Sequence, residues 1–263
     1  MPKLYNARKY SKARRPIAKR IPRQLNNAID KAVNRHQEIK QFQYGYDNID
    51  MVPYLTTNGT FQTNNVIPLI PNHDNPMLQG DSNSDRIGNK IKIKSVHLKL
   101  IIMPLNYNST TNPTPRPHDV RMIICHSKAT PTAPIVSSTF FDSNNATVSP
   151  QDDLSDMLLD VNKDIYVVSS DKKFKVGYTT MAGTGANPGN QYFANNDYKY
   201  NKFIQMDITK YCPASVVWND DSSTPVSFLP VAILMGANAN GVTSTDGESS
   251  LKYWAQVTIR YYD

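Results

Sequence analysis

Apolar and polar residues alternate most regularly in residues 89–103. Up to Ile93, isoleucines alternate with lysines, and from Val96 onwards apolar residues alternate with polar ones in the opposite phase. An alternation of period two indicates a β-strand with one buried face. The phase changes at Lys94 and Ser95, and the extra residue of a β-bulge shifts the phase in this way. We therefore predict a long strand with a bulge at these two residues.

Seven other segments carry strand-like patterns. Residues 63–69 contain Pro68, which fits an edge strand because proline cannot donate to a ladder. Residues 120–126 are apolar at nearly every position, as in a strand that is buried on both faces. Residues 164–169 and 172–178 have the spacing of a hairpin. The remaining three segments are residues 198–208, 228–235 and 251–262.

The order of these elements predicts the fold class. Because the strands follow one another without alternating helices, parallel βαβ units are not expected. Eight strands joined by polar loops indicate an all-β protein, and we predict an eight-stranded antiparallel jelly-roll sandwich. One short helix is expected in a loop, with Ser149 as its N-cap and Pro150 at its first position.

Charge is distributed unevenly along the 263 residues. The net charge is +7, but residues 1–40 hold 12 Lys and Arg against Asp30 and Glu38, which gives this segment a net charge of +10. Residues 41–263 hold 17 basic and 20 acidic residues, which gives them a net charge of −3. We therefore predict two domains, a basic N-terminal arm of residues 1–40 and a jelly-roll domain of residues 41–263.

The arm is most basic in residues 1–23, which contain no acidic residue. A segment with so much charge and so few large apolar residues cannot offset its chain entropy by burial, so we expect it to be disordered. Its expected partner is single-stranded nucleic acid, because neutralised phosphates release counterions and Tyr5 and Tyr10 can stack on unpaired bases. Residues 12–23 also fit a nuclear localisation signal. The predicted nucleic-acid-binding residues are Lys3, Arg8, Lys9, Lys12, Arg14, Arg15, Lys19, Arg20 and Arg23.

Two features of the arm admit more than one interpretation. The basic residues are also compatible with a tail that only increases solubility. In residues 24–42, Leu25, Ile29 and Val33 recur at every fourth position, which fits an amphipathic helix. A solvated linker is the other interpretation of that segment, and the sequence leaves both open.

No residue pattern in the sequence points to catalysis. Zinc sites need closely spaced Cys and His, and the chain contains no CxxC, HxH or HExxH motif. The phosphate-binding loop GxxxxGK[ST] and the nucleophile motif GxSxG do not occur either. We therefore expect no enzymatic activity, no cofactor and no metal site.

Acidic clusters, cysteines and hydropathy add three further expectations. Acidic residues cluster within residues 81–85, 152–160 and 220–221. They are compatible with calcium at a contact between subunits or with solvated loop and cap carboxylates. Cys125 and Cys212 are expected to be reduced thiols in core strands. The chain has no run of about 18 apolar residues, so we expect no membrane insertion.

A short motif precedes the long predicted strand. Residues 80–91 read GDSNSDRIGNKI, in which Arg86, Gly88 and Lys90 form an R-x-G-x-K-I element. Together with the basic arm and the aromatic last strand from Tyr253, this element resembles the capsid proteins of circular, Rep-encoding single-stranded DNA viruses, the circovirus-like group. The arm departs from that pattern because it mixes Lys with Arg and is less rich in Arg.

The resemblance implies a viral capsid protein that self-assembles into a small icosahedral (T=1) shell of about sixty copies. The arms would face inward and package a single-stranded DNA genome. The resemblance also implies location in the virion and, during assembly, in the host nucleus, with host nuclear import machinery and a cell receptor as partners. The alternatives are a capsid protein of a small single-stranded RNA virus and a nucleic-acid-binding protein that does not assemble.

Overall fold

The computed structural model describes residues 38–51, 61–104, 118–128, 135–143, 146–151, 153–177, 179–180, 192–193, 201–219, 222, 224–238 and 251–263. The chain divides into two units, Met1–Gln37 and Glu38–Asp263, and all described residues belong to the second unit. The strands are β1 (Ile39–Asp50), β2 (Val66–Pro68), β3 (Lys90–Pro104), β4 (His118–Ser127), β5 (Phe141–Ser143), β6 (Ala146–Val148), β7 (Asp160–Val161), β8 (Tyr166–Val176), β9 (Thr179–Thr180), β10 (Tyr192–Phe193), β11 (Lys202–Asp207), β12 (Ser215–Val217), β13 (Val231–Asn238) and β14 (Leu251–Tyr262).

Most of these strands belong to two antiparallel sheets that pack face to face. The five-stranded sheet has the order β1-β14-β3-β11, and β12 pairs with the first residues of β3. The four-stranded sheet has the order β2-β13-β4-β8, and two small sheets are formed by β6-β5-β7 and β9-β10. The predicted all-β antiparallel sandwich is confirmed. The described residues form fourteen strands, because short strands in the connections add to the predicted ones.

Two clusters of apolar side chains lie on opposite faces of the four-stranded sheet. The main core fills the space between the two large sheets and includes Leu98, Val257, Met122 and Leu234. The second cluster packs Phe141 of β5, with neighbours from β7 and the loop before β5, against the other face of β4 and β13. Within the described residues, the four-stranded sheet is thus covered on both faces and the five-stranded sheet on one.

β3 has the predicted alternation and the predicted bulge. Its residue Ser95 pairs with Arg260 and Ile93 pairs with Tyr261, so Lys94 is the extra residue of the bulge. The residues of β3 that face the core are buried, except for half-buried Ile93, and all four of its lysines are exposed. The predictions for β4, which is buried on both faces, and for β2, which lies at the edge of its sheet, are also confirmed.

β1 is missing from the predicted strands. Its inward side chains are aromatic, with Phe42, Tyr44 and Tyr46 packed against the main core, and they alternate with glutamine and glycine. Because the outward positions from Gln41 to Gly45 carry no charge and the inward ones are aromatic and not aliphatic, the alternation is weak in hydropathy. Residues 39–42 are therefore strand, and the helix interpretation is wrong for them, while residues 24–37 lie outside the described residues.

β8 is one strand where the sequence predicts a hairpin. It pairs with β4 along its whole length, and Ser169 is the extra residue of a bulge between Val168 and Ser170. The polar Ser-Ser-Asp stretch resembles a turn, but the partner strand provides hydrogen bonds throughout. The predicted short helix is a 3-10 turn at Leu154–Met157, and Asp153 caps it in place of Ser149.

Both cysteines are free and buried. Cys125 lies in β4, and Cys212 follows a 3-10 turn at Thr209–Tyr211 and does not lie in a strand. Burial raises the pKa of each thiol to about 12. Because only the thiolate is nucleophilic, we predict that neither thiol of the native protein reacts with Ellman's reagent within minutes at pH 8. Both should react after unfolding in urea, and rapid reaction of either thiol in the native state would contradict this burial.

Candidate nucleic-acid interface

No other described part of the chain covers the outward face of the five-stranded sheet. We call this surface the open face. It is formed by the residues of β1, β3, β11 and β14 that alternate with the core residues of these strands. On β3 the exposed positions include Lys92 and Lys99, next to fully buried Ile91 and Leu98. The same alternation occurs on β14, where buried Val257 is followed by half-buried Thr258.

The open face is more basic than the rest of the folded domain. Six basic side chains and three acidic ones occupy it, so its net charge is +3. Residues 41–263 as a whole carry −3, so the rest of that segment carries −6. The basic residues are Lys90, Lys92, Lys94, Lys99, Lys252 and Arg260, and the acidic ones are Asp47, Asp50 and Asp207.

Two of the acidic residues of the open face form hydrogen bonds or an ion pair with neighbouring residues. The carboxylate of Asp207 accepts hydrogen bonds from the backbone N–H and the hydroxyl of Thr209, at 2.9 and 2.5 Å. These hydrogen bonds lower the pKa of Asp207, and the neighbouring charges of His97 and Lys210 contribute in the same direction. Asp50 lies 3.5 Å from the ammonium of Lys252. The lysines of β3 and Arg260 therefore dominate the field at the centre of the face.

An apolar row crosses the open face at one end. Trp254 of β14, Ile101 of β3 and Phe203 of β11 are neighbours in register. Phe203 is 58% exposed and Ile101 is 39% exposed, which is unusual for large apolar residues on strands. The adjacent row has Lys99 between two glutamines, Gln205 and Gln256. Apolar and cationic side chains thus lie about 7 Å apart along the strands.

Lysines near the start of β3 lie close to a second aromatic ring, Tyr262 of β14. The ammonium of Lys94 is 5.7 Å from the centroid of the Tyr262 ring, within the range of a cation–π contact. Tyr262 pairs with Lys92 across β14 and β3. Basic and aromatic side chains therefore alternate at both ends of the open face.

The nine predicted nucleic-acid-binding residues of the arm lie outside the described residues. The R-x-G-x-K-I element, by contrast, is described, and its residues have different environments. Arg86 is buried, donates to the carbonyl of Gly88 at 2.7 Å and to Oδ1 of Asn89 at 3.0 Å, and lies 4.8 Å from the Trp218 ring centroid. Lys90 is exposed on the open face. Arg86 therefore stabilises its own loop, and only Lys90 is accessible to a phosphate.

Lys40 and Asp263 fasten the same loop to the end of the five-stranded sheet. The ammonium of Lys40 lies 3.2 Å from Oδ2 of Asp263 and donates to the carbonyl of Asp85 at 3.0 Å. The Tyr261 hydroxyl donates to that carbonyl at 2.9 Å, and the N–H of Ile87 donates to Asp263 at 2.5 Å. Lys40 is 6% exposed, so this residue of the predicted arm is part of the folded domain.

Acidic residues of the predicted clusters accept hydrogen bonds within their own loops. Oδ2 of Asp85 accepts from the N–H of Ser82 at 3.3 Å, and Oδ2 of Asp156 accepts from the N–H of Gln151 at 2.8 Å. Asp152 and the cluster at 220–221 lie outside the described residues. Across the described ranges, no three His, Cys, Asp or Glu side chains are grouped to hold a metal ion. Asp85 and Asp156 therefore fit the loop and cap interpretation.

Comparisons with known proteins add no family assignment. No protein-family model matches the sequence, and no curated protein matches it at a significant level. The resemblance to circovirus-like capsid proteins therefore depends on the residues quoted above and stays a prediction. Among the described residues, none of the helices is long and apolar enough to cross a membrane.

The open face was not among the predicted sites, although part of its signal is in the sequence. At the start of β3, lysines alternate with isoleucines, so every second residue is a lysine. The contribution of β14 and β11 depends on strand register, which places Trp254 beside Ile101 and Phe203 although they are distant in sequence.

Proposed function

We propose that this protein is a viral capsid protein that self-assembles into a small icosahedral shell and packages single-stranded DNA through its basic arm. The observation that carries the proposal is the division of charge between two parts of the chain. Residues 1–40 carry +10, and residues 41–263, which form nearly all of the β-sandwich, carry −3. Charge at this density and without compensating acids is typical of segments that bind a polyanion.

The connectivity of the sandwich supports a jelly roll. Apart from β12, the two large sheets contain eight strands, in chain order β1, β2, β3, β4, β8, β11, β13 and β14. The first of these pairs with the last, the second with the seventh, the third with the sixth and the fourth with the fifth. A long antiparallel hairpin that is rolled into two sheets produces this nested pairing. Small icosahedral shells are among the assemblies built from jelly rolls.

The two parts of the chain have separate tasks in the proposed mechanism. A two-sheet sandwich with a double core is a rigid block, and repeated contacts between copies close into a symmetric shell. The arm supplies affinity that does not depend on sequence, because each neutralised phosphate releases counterions. Nucleic acid therefore lowers the free energy of assembly by bringing many arms together on one polymer. No catalytic group is needed for either task.

The mass of the recombinant particle tests the proposal. In sedimentation velocity and negative-stain electron microscopy, the full chain should form uniform closed particles of about 1.8 MDa, which is sixty copies of a 29.6 kDa chain. Nuclease digestion of copurified nucleic acid should distinguish DNA from RNA. A monomer or dimer at all salt concentrations would instead favour a nucleic-acid-binding protein that does not assemble.

A further inference from the structure

We infer that the open face is a second nucleic-acid contact, which binds unpaired bases on its apolar row and backbone phosphates on its lysines and Arg260. The inference rests on the proposed function for the polyanionic partner, but it assigns a site in the folded domain that is separate from the arm. The first observation behind the inference is charge. The open face carries +3, whereas the other residues of 41–263 carry −6.

The phosphate contacts would come from the central strands. Lys99 of β3 and Arg260 of β14 are both exposed and lie on adjacent strands. Side chains two residues apart on one strand are about 7 Å apart, so the basic positions of β3 form a ladder along the sheet. A flexible single strand can follow such a ladder without sequence-specific contacts.

The base contacts would come from the apolar row. Trp254, Ile101 and Phe203 stand side by side on three hydrogen-bonded strands, so the sheet fixes their backbone positions before any ligand binds. Ordering these groups on binding therefore costs little entropy. Exposed aromatic side chains next to cations bind unpaired bases by stacking, and this contact tolerates any base.

Other occupants fit the open face less well. A second copy of the chain that used the same face would bring two patches of +3 together, and like charges at an isologous interface repel. A duplex offers phosphates but keeps its bases stacked internally, so it cannot use the apolar row. An anionic membrane surface is a different class of partner, and it is an outcome of the test below.

The test uses the full-length chain with the nine basic residues of 1–23 replaced by glutamine, so that the arm no longer dominates binding. In this background, Lys99→Gln with Arg260→Gln is compared with a matched control, Lys128→Gln with Lys163→Gln. The control lysines are exposed and lie outside the five-stranded sheet. Binding to a fluorescent oligo(dT) is measured by anisotropy at several salt concentrations.

We expect the face variant, Lys99→Gln with Arg260→Gln, to reduce the magnitude of the slope of log K against log salt by about 1.4. The reason is that about 0.7 counterions are released per phosphate contact on a single strand. The control variant should leave the slope unchanged. Phe203→Ala should weaken binding of oligo(dT) by about fivefold or more, and it should not change binding of a duplex of equal length.

Tryptophan fluorescence gives an independent readout of stacking. The chain has two tryptophans, of which Trp218 is 2% exposed and lies under Arg86, whereas Trp254 lies on the open face. Oligo(dT) should quench the fluorescence of the arm-substituted protein. Trp254→Phe should abolish that quenching, and Trp218→Phe should preserve it.

Three results would overturn the inference. In the first, the face variant and the control variant change the salt slope of oligo(dT) binding equally. In the second, the arm-substituted protein is folded but does not bind oligo(dT). In the third, the protein binds anionic vesicles in preference to oligo(dT). Each concerns binding by the isolated chain, so it is distinguishable from failure of the proposed function, which is failure to form shells.

Discussion

Replacing Arg121 by methionine should lower the free energy of unfolding by about 2–4 kcal/mol. Arg121 is 1% exposed on β4, and its guanidinium forms two hydrogen bonds with the carboxylate of Asp171, at 2.6 and 3.1 Å. It also donates to the carbonyls of Asp156 and Leu159, at 2.5 and 2.7 Å, and lies 5.4 Å from the Phe141 ring centroid. Methionine fills similar space but leaves the carbonyls of Asp156 and Leu159 without this donor, whereas the carboxylate of Asp171 is exposed enough for water to replace it.

Urea unfolding followed by circular dichroism measures this loss, with Arg260→Met as the matched control. Arg260 is exposed on the open face, so its replacement should change stability by no more than about 0.5 kcal/mol. Because Arg121 holds the segment around Asp156 onto the four-stranded sheet, the variant should also expose the second core to apolar dyes. A loss below about 1 kcal/mol would contradict a structural role for this arginine.

Replacing the nine basic residues of 1–23 by glutamine in the full chain should weaken binding to single-stranded DNA by about a thousandfold at low salt. Nine lost phosphate contacts would lower the slope of log K against log salt by up to about 6. The midpoint of urea unfolding should not change, because both cores consist of residues of the second unit. The weak binding that is left should be that of the open face.

The matched control for the arm replaces nine uncharged residues of 1–40 by glutamine, and it should keep the affinity and the salt slope. Fluorescence anisotropy with oligo(dT) at four salt concentrations measures both quantities. Unchanged retention on single-stranded DNA after neutralisation of the arm would contradict its assignment as the main nucleic-acid contact.

Among the predicted strands, the clearest patterns belong to those with one largely aliphatic face. β3 and β14 alternate aliphatic residues with charged or polar ones, and the phase change at Lys94 revealed even the bulge. β1 has the same period, but from Phe42 to Tyr46 its inward positions are Phe and Tyr and the positions between them are glutamine and glycine, so the contrast is small. The sequence pattern divides β8 in two, because Ser169, Ser170 and Asp171 resemble a turn and the partner strand is not visible locally.

Long-range contacts account for most of what the sequence does not reveal about the site. Arg121 and Asp171 are 50 residues apart, and nothing near either residue indicates that they pair. The open face likewise joins Trp254, Ile101 and Phe203 through strand register, which local patterns do not determine. The charge of the arm is different, because it depends on composition alone and is fully visible in the sequence.

The most direct test of the account is co-assembly of the purified chain with circular single-stranded DNA. Sedimentation with detection of both protein and DNA, before and after nuclease treatment, measures whether the two form one closed particle. We predict that both sediment together at megadalton mass and that the DNA survives the nuclease. Nuclease-sensitive DNA, with protein that sediments as a monomer or dimer, would contradict the claim that this β-sandwich forms a shell around nucleic acid.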